Sequence, residues 1–466
     1  MAVDERALRE LAELTAPYAV LYAVGGYCRD KLLGVEPRDS DICSELTVEQ
    51  LKSALEGSGF VISDKYPRLG TVAVSRDGFR AEYTVFRTDS YPASGDSHRP
   101  ERVEFTKDIR LDAARRDFRC NAVYFDILRG EYLDVTGGGI DDIRTGTLTA
   151  AASPGKVFGE DGLRVLRLVR FGAELGFRAA PETFEAAKAN ADRVRNIARE
   201  RVLEELDKIF VADTAYPALG VRDGHVRGLR MLDKSGLSEI LLPEVAALKG
   251  LKQNSAYHIY DAYEHSVAAY AAAPPRLRWA ALLHDIGKKI AVDRNGNMHG
   301  HDVMGAEAAA ERLAALNMPR GRAERICRLI ACHMTDLKED MSEAKLRRFV
   351  VRNADIAEDL IALKYADGYA TRGVIPDKIR LERVYEKMKA DGTPFSLGDL
   401  AADGRDAQAA GLSGRDIGKA LSALLDEAVV CPALRTRERA LCFLENYAQR
   451  IKRRRRDVAD GGREKL

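Results

Sequence analysis

Two periods of apolar and polar residues divide the chain. Up to about residue 150 the apolar runs are short, strand-like and separated by turn residues. Residues 18–24 (YAVLYAV) form one such run and end in Gly25 and Gly26. Residues 71–75 and 79–86 flank Arg76, Asp77 and Gly78, a pattern that predicts a β-hairpin. Within the second run Ala81, Tyr83 and Val85 alternate with polar neighbours, so they form a core face and leave Glu82 on the other. From residue 156 to 212 the period lengthens to that of helices: Val157, Leu163, Leu166, Val169 and Phe171, then Val202, Leu206 and Ile209. Helical spacing continues almost to the end, broken by Gly and Pro at 242–250, 274–275, 391–394 and 411–414. No internal repeat is present. The pattern predicts an α+β protein: a head over residues 1–150, followed by all-α segments over 151–250, 251–390 and 391–466.

Composition narrows the function classes. A chain of 466 residues exceeds what one hydrophobic core supports, so several domains are expected. With 46% hydrophobic and 31% charged residues it is neither disordered nor fibrous. No apolar run approaches the ~18 residues of a membrane span. The acidic, polar start is unlike a signal peptide, and seven scattered cysteines without a CxxC pair fit a reducing compartment; a cytoplasmic location is expected. The net charge of +1 predicts no general attraction to polyanions, although Arg450 and the run Lys452 to Arg456 concentrate base near the end. Six of the eight histidines (His258, His265, His284, His299, His301, His333) fall in one segment, which points to a metal site.

The densest chemistry lies at residues 24–44. Gly25 and Gly26 allow close approach of backbone to a phosphate, and Arg29 follows to hold one. Asp39 and Asp41 are two apart, so on a strand both carboxylates share a face, a pairing that suits Mg²⁺ bridged to substrate phosphates. Glu82 on the hairpin supplies a third acid. VGGYCRDKLLGVEPRDSDICS resembles the signature of class II tRNA nucleotidyltransferases and bacterial poly(A) polymerases. Further motifs of that family follow in order: Asp112 to Ala122 (DAARRDFRCNA), Asp134 to Asp142 (DVTGGGIDD), Glu160 to Arg164 (EDGLR), and Glu200-Arg201 with Glu205-Leu206. Cys28, Ser44, Arg119 and Cys120 depart from its usual residues, and Arg119 bears on the sugar contacts.

The resemblance implies a polymerase-β-like head with a mixed sheet, a helical neck and a helical tail that grips tRNA. It implies that Gly25, Gly26, Arg29, Asp112, Arg115, Arg116, Asp117 and Asn121 bind nucleotide. It also implies that Asp161 and Arg164 select the base, with Arg167 and Arg170 continuing their basic face. Cytosine and adenine each place an amino donor beside a ring acceptor, matching Asp161 and Arg164; uracil and guanine reverse both contacts. Asp96 to Pro100, in the polar stretch 87–110, resembles the family's flexible loop. In the tail, Gly404, Gly411 and Gly414 separate amphipathic helices, with Asp399 and Asp406 near their starts.

His265, His284, Asp285 and Asp367 reproduce the H…HD…D order of HD phosphohydrolases, implying a second divalent-metal centre, and His301 and His333 add donors enough for a second metal there. The expected function is addition or repair of the 3′-terminal CCA of tRNA from CTP and ATP with Mg²⁺. A CC-only or A-only enzyme, a poly(A) polymerase, and an HD phosphohydrolase with a vestigial head are the alternatives. A non-enzymatic RNA-binding role would need no carboxylate pair. Oligomeric state is not legible.

Overall fold

The computed structural model describes residues 4–91, 101–255 and 258–461, with 454–461 by backbone alone. The expected flexible loop, Asp96 to Pro100, and the side chains of Arg454, Arg455 and Arg456 therefore lie outside the described residues. The chain forms two compact units, residues 1–249 with 310–323, and 250–309 with 324–466.

The first unit begins with nine strands: β1 (Tyr22–Val24), β2 (Asp41–Ser44), β3 (Val61–Tyr66), β4 (Thr71–Arg76), β5 (Phe79–Val85), β6 (Arg87–Ser90), β7 (Arg102–Phe105), β8 (Tyr124–Asp126) and β9 (Glu131–Leu133). Seven of them form one sheet in the order β3-β4-β5-β2-β1-β8-β9. The β2–β5 pair is parallel and its neighbours are antiparallel, so the sheet is mixed as expected. The hairpin stands where the sequence places it. Asp77 (φ 47°) and Gly78 (φ 89°) take the left-handed conformations of a tight two-residue turn, and Arg76 pairs with Phe79. On β5 Phe79, Ala81, Tyr83 and Val85 are buried, while Glu82 faces the other way. The run 18–24 yields only three strand residues, because residues 5–15 form a helix and its turn extends to Tyr18. The polar stretch 87–110 is more regular than its composition suggests: it opens and closes with the β6–β7 ribbon.

The helices that follow are Pro154–Glu160, Leu163–Leu175, Arg199–Phe210 and Gly224–Lys234. Leu163–Leu175 is buried along nearly its whole length. Gly172 and Gly228 sit at tight helix contacts, where a Cβ would meet Met231 Sδ at 2.7 Å and Ile209 Cγ2 at 2.5 Å.

The second unit is helical. His265 lies on Ala262–Ala272, Asp367 on Ala357–Arg372, His284 and Asp285 in the turn that follows Arg278–Leu283, and His301 and His333 at helix boundaries. The C-terminal helices Gly404–Ala409, Arg415–Ala428 and Arg437–Gly461 share a core of their own built from Ala407, Leu412, Ala420, Leu424, Ala440, Leu444 and Ala448. Among the described residues no helix is long and apolar enough to cross a membrane.

Candidate active sites

In the first unit a cavity of about 740 Å³ opens beside the parallel β2–β5 pair. Asp41 is the first residue of β2 and lies directly across from Glu82 on β5. Asp39 was expected on the same strand; it stands just before it, in an exposed turn, yet lines the same cavity. Burial, the Glu82 carboxylate and the Asp39 carboxylate push the Asp41 carboxyl up to about 6, although the Arg116 charge opposes them. Three acids crowded this way favour a cation among them, and all-oxygen donors fit a divalent metal. Lys65 already lies against Glu82 as a local counter-charge.

Gly25 closes β1 with φ 70°, and a Cβ there would lie 3.4 Å from Asp41 Oδ2. Glycine thus serves both the backbone conformation and the space in front of the acid. Arg29 begins four residues later but is already engaged. Its Nε and Nη2 donate to Asp30 Oδ1 at 2.9 and 2.7 Å, its Nη1 to Asn121 Oδ1 at 2.9 Å, and its Nη2 also to the Tyr216 hydroxyl at 2.8 Å. It is a buried brace with little donor capacity left for a phosphate. Asn121 is held from its other side by Asp117 Oδ1 at 3.1 Å.

Asp112 is fully buried and does not line the cavity. Its two oxygens anchor Arg115 and Arg116, and the Tyr124 hydroxyl donates to it at 2.7 Å. Burial disfavours the charge, yet Arg116, Arg115 and these hydrogen bonds hold the carboxyl well below its ordinary range. Asp112 therefore presents two cavity-lining arginines in fixed positions. Asp117 does the same for Arg167, which binds its Oδ2 at 2.7 Å through Nε, and Arg170 pairs with Glu205 at 2.8 Å.

Asp161 and Arg164 both line the cavity. The sequence predicts one continuous helix through them; the helix breaks there. Asp161 is extended (φ −140°, ψ 106°) between Pro154–Glu160 and Leu163–Leu175, and its Oδ1 caps Leu163 N at 2.9 Å. Arg164 donates through Nη1 to Val157 O at 3.0 Å and Glu160 Oε2 at 3.4 Å, and through Nη2 to Arg115 O at 2.6 Å. A guanidinium has five donors, so Nε–H and one Nη2–H remain for a base edge. Arg119, the departure that bears on the sugar contacts, is engaged elsewhere. It forks onto buried Asp142 at 2.9 Å through both Nε and Nη2, which clamps the glycine turn against the 119–121 segment. Sequence reading also missed Asp89 in the lining, which pairs with its neighbour Arg87, and Arg38, Tyr91 and Tyr216, whose partners lie far away along the chain.

The second unit gathers all six expected metal donors. Asp285 Oδ2 faces His265 Nε2 at 3.3 Å and His284 Nε2 at 3.2 Å, while its Oδ1 faces His301 Nε2 at 3.2 Å and His333 Nε2 at 3.8 Å. Asp367 Oδ1 adds 3.0 Å to His265. His284, His301 and His333 each place Nδ1 2.6–2.8 Å from a backbone carbonyl three residues earlier. Carbonyls only accept, so Nδ1 carries a proton and Nε2 is the nitrogen each ring turns towards the centre. Although burial opposes it, Asp285 and Asp367 raise His284 to about 10, and burial lowers His333 to about 4. Mixed imidazole and carboxylate donors, with one carboxylate between two donor groups, fit divalent transition metals. Gly287 permits the convergence: a Cβ there would fall 2.0 Å from His301 O.

Comparison with known proteins matches both the head and the histidine-bearing segment to known domains. Residues 21–149 match the poly A polymerase head domain, 176–221 the probable RNA and SrmB-binding site of polymerase A, and 257–371 the HD domain. A CC-adding tRNA nucleotidyltransferase of Thermus thermophilus is 32% identical over 444 residues, 91% of this chain and 92% of its own length. The chain belongs to the tRNA nucleotidyltransferase family. An A-adding tRNA nucleotidyltransferase of Deinococcus radiodurans is 31% identical over 74% of this chain and 81% of its own. A CCA-adding enzyme of Bacillus pumilus is 38% identical, over 41% of this chain and 45% of its own. The structure of the Bacillus stearothermophilus CCA-adding enzyme with CTP shares the fold at a TM-score of 0.65 and 23% identity, covering 97% of this chain and all of that one. As a member of this family the chain is a nucleotidyltransferase that also carries an HD domain.

Proposed function

We propose that this enzyme builds the 3′-terminal CCA of tRNA from CTP and ATP with Mg²⁺. The observation that carries the reading is the single cavity in which Asp39, Asp41 and Glu82 face Arg115, Arg116, Asp161 and Arg164. Bound Mg²⁺ would supply charge neutralisation at the α-phosphate and activation of the RNA 3′-hydroxyl. Asp39, Asp41 and Glu82 would hold it. Arg115 and Arg116, fixed from behind by Asp112, receive the triphosphate, and Gly25 and Gly26 keep backbone bulk out of its way. Arg29, Asp117 and Asn121 act mainly by holding that wall rigid, and Arg167 and Arg170 extend it. Asp161 Oδ2 accepts the amino group of cytosine or adenine, while the free donors of Arg164 meet the ring acceptor. Uracil and guanine would oppose like groups at both contacts, a loss of about 1–3 kcal/mol for each unpaired group. No protein nucleophile is needed, because positioning and charge compensation carry the reaction.

A second reading is CC addition alone, the activity named for the Thermus relative that matches 91% of the chain. For the HD centre we propose hydrolysis of phosphate esters with divalent transition metals held by His265, His284, Asp285, Asp367, His301 and His333. The test is a gel assay on tRNA ending at the discriminator base, at C and at CC, with each nucleoside triphosphate singly and with CTP and ATP together. Growth of the shortest acceptor by three residues and then arrest supports CCA addition. A stop at CC supports the second reading, and an unlimited ladder with ATP overturns both.

A further inference from the structure

Ten basic side chains line the cavity that holds the three acids, and most are paired: Arg115 and Arg116 to Asp112, Arg167 to Asp117, Arg170 to Glu205. Of these ten basic side chains, those of Arg38 and Arg201 alone have neither an ion pair nor a hydrogen bond among the described residues. Arg38 is exposed and immediately precedes Asp39. Its guanidinium lies 3.9 Å from the centroid of the Tyr216 ring. That ring is a fixed floor, since its hydroxyl accepts from Arg29 Nη2 at 2.8 Å and donates to Asp30 Oδ2 at 3.2 Å. One side of the Arg38 guanidinium is therefore covered by the ring, its charge is felt by Asp30 and Glu174, and no hydrogen bond or ion pair occupies its N–H groups.

In-line nucleotidyl transfer places the attacking hydroxyl and the leaving pyrophosphate on opposite sides of the α-phosphorus. The triphosphate falls to Arg115 and Arg116. The nucleotide that bears the 3′-hydroxyl must also lie within one sugar of the acids, and Arg38 is the cation adjoining them that nothing else employs. We propose that Arg38 and Arg201 seat the 3′-terminal nucleotide of the RNA acceptor, its base stacked on the free face of Arg38 and its phosphate paired with Arg201; this rests on the nucleotidyl transfer proposed above. A stacked guanidinium accepts any base, because every base has a π-face. Such a seat suits an enzyme whose acceptor ends first in a discriminator base and then in cytosine.

The test is equilibrium binding of a fluorescent acceptor-stem RNA, without nucleotide, to wild type, Arg38→Ala, Arg38→Lys and Arg201→Ala, alongside KM values for RNA and CTP. Arg38→Ala is expected to weaken RNA binding about tenfold, the scale of one lost base stack, and to leave the KM for CTP within about twofold. Arg38→Lys is expected to bind as weakly as Arg38→Ala, because an ammonium has no plane to stack. An acceptor without its terminal base should lose about tenfold with wild type and nothing further with Arg38→Ala. Arg201→Ala should weaken binding and flatten its salt dependence. Rescue by Lys, or a rise in the KM for CTP with unchanged RNA binding, overturns the seat. If wild type binds RNA in this pattern but adds no nucleotide, the seat stands and the reaction assignment fails.

Discussion

Asp117 is a small acid asked to do three things: accept from Arg167, from Asn121 and from the Phe118 backbone amide. Burial alone would raise its carboxyl; the Arg167 charge and these hydrogen bonds bring it down to about 2. A depressed folded-state value means the carboxylate adds stability above its unfolded value near 4, and that contribution disappears as pH falls from about 4 to 2. A shift of this size corresponds to about 2 kcal/mol. Urea midpoints of wild type and Asp117→Asn should therefore differ at pH 7 and converge towards pH 2.5; a constant difference would show that the charge has no such role. Arg119 is the complementary case on the cationic side. Truncating it leaves Asp142 buried without its fork, and Arg119→Ala should cost about 2 kcal/mol in chemical denaturation. A sugar-contact role would instead raise the KM for nucleotide at unchanged stability.

At the scale of elements, the sequence pattern located what depends on neighbours in the chain. The β4–β5 hairpin, the inward face of β5 and the helical neck follow from periods of two and three to four, and they appear where expected. The candidate site was less legible, because its residues prefer the ends of elements. Asp39 and Asp161 were placed on a strand and a helix, yet both sit just outside one, where backbone irregularity turns them into the cavity. Arg29 and Asp112 were read as ligand contacts; Asp112 lies behind the lining, while Arg29 lines the cavity and is braced by Asp30, Asn121 and Tyr216. No local pattern could show that Arg38 stacks on Tyr216, since that contact is formed by tertiary folding alone. Gly25 was legible, and its demand is quantitative: at φ 70° a side chain strains the backbone by about 1–2 kcal/mol and would stand in contact with Asp41, in the space before the acid. Gly25→Ala should therefore fold less stably and lower the rate of nucleotide addition. Wild-type rates in that variant would mean the close approach is not used.

For the whole molecule, the two centres lie in different compact units and use different donors, carboxylates in one and histidines with carboxylates in the other. Asp285 stands between both donor groups of the HD centre, so Asp285→Asn should strip that centre of tightly held metal, read by elemental analysis after dialysis. Nucleotide addition should persist in the same protein. Loss of both would mean the centres do not work separately. In the proposed reaction the head, by contrast, relies on its acids. The direct measurement is the single-turnover rate of CMP incorporation into tRNA lacking its CCA, with Mg²⁺, for wild type and Asp41→Asn. The expected result is a fall of at least about a thousandfold with CTP still bound. A rate within tenfold of wild type would contradict the assignment of nucleotidyl transfer to this cavity.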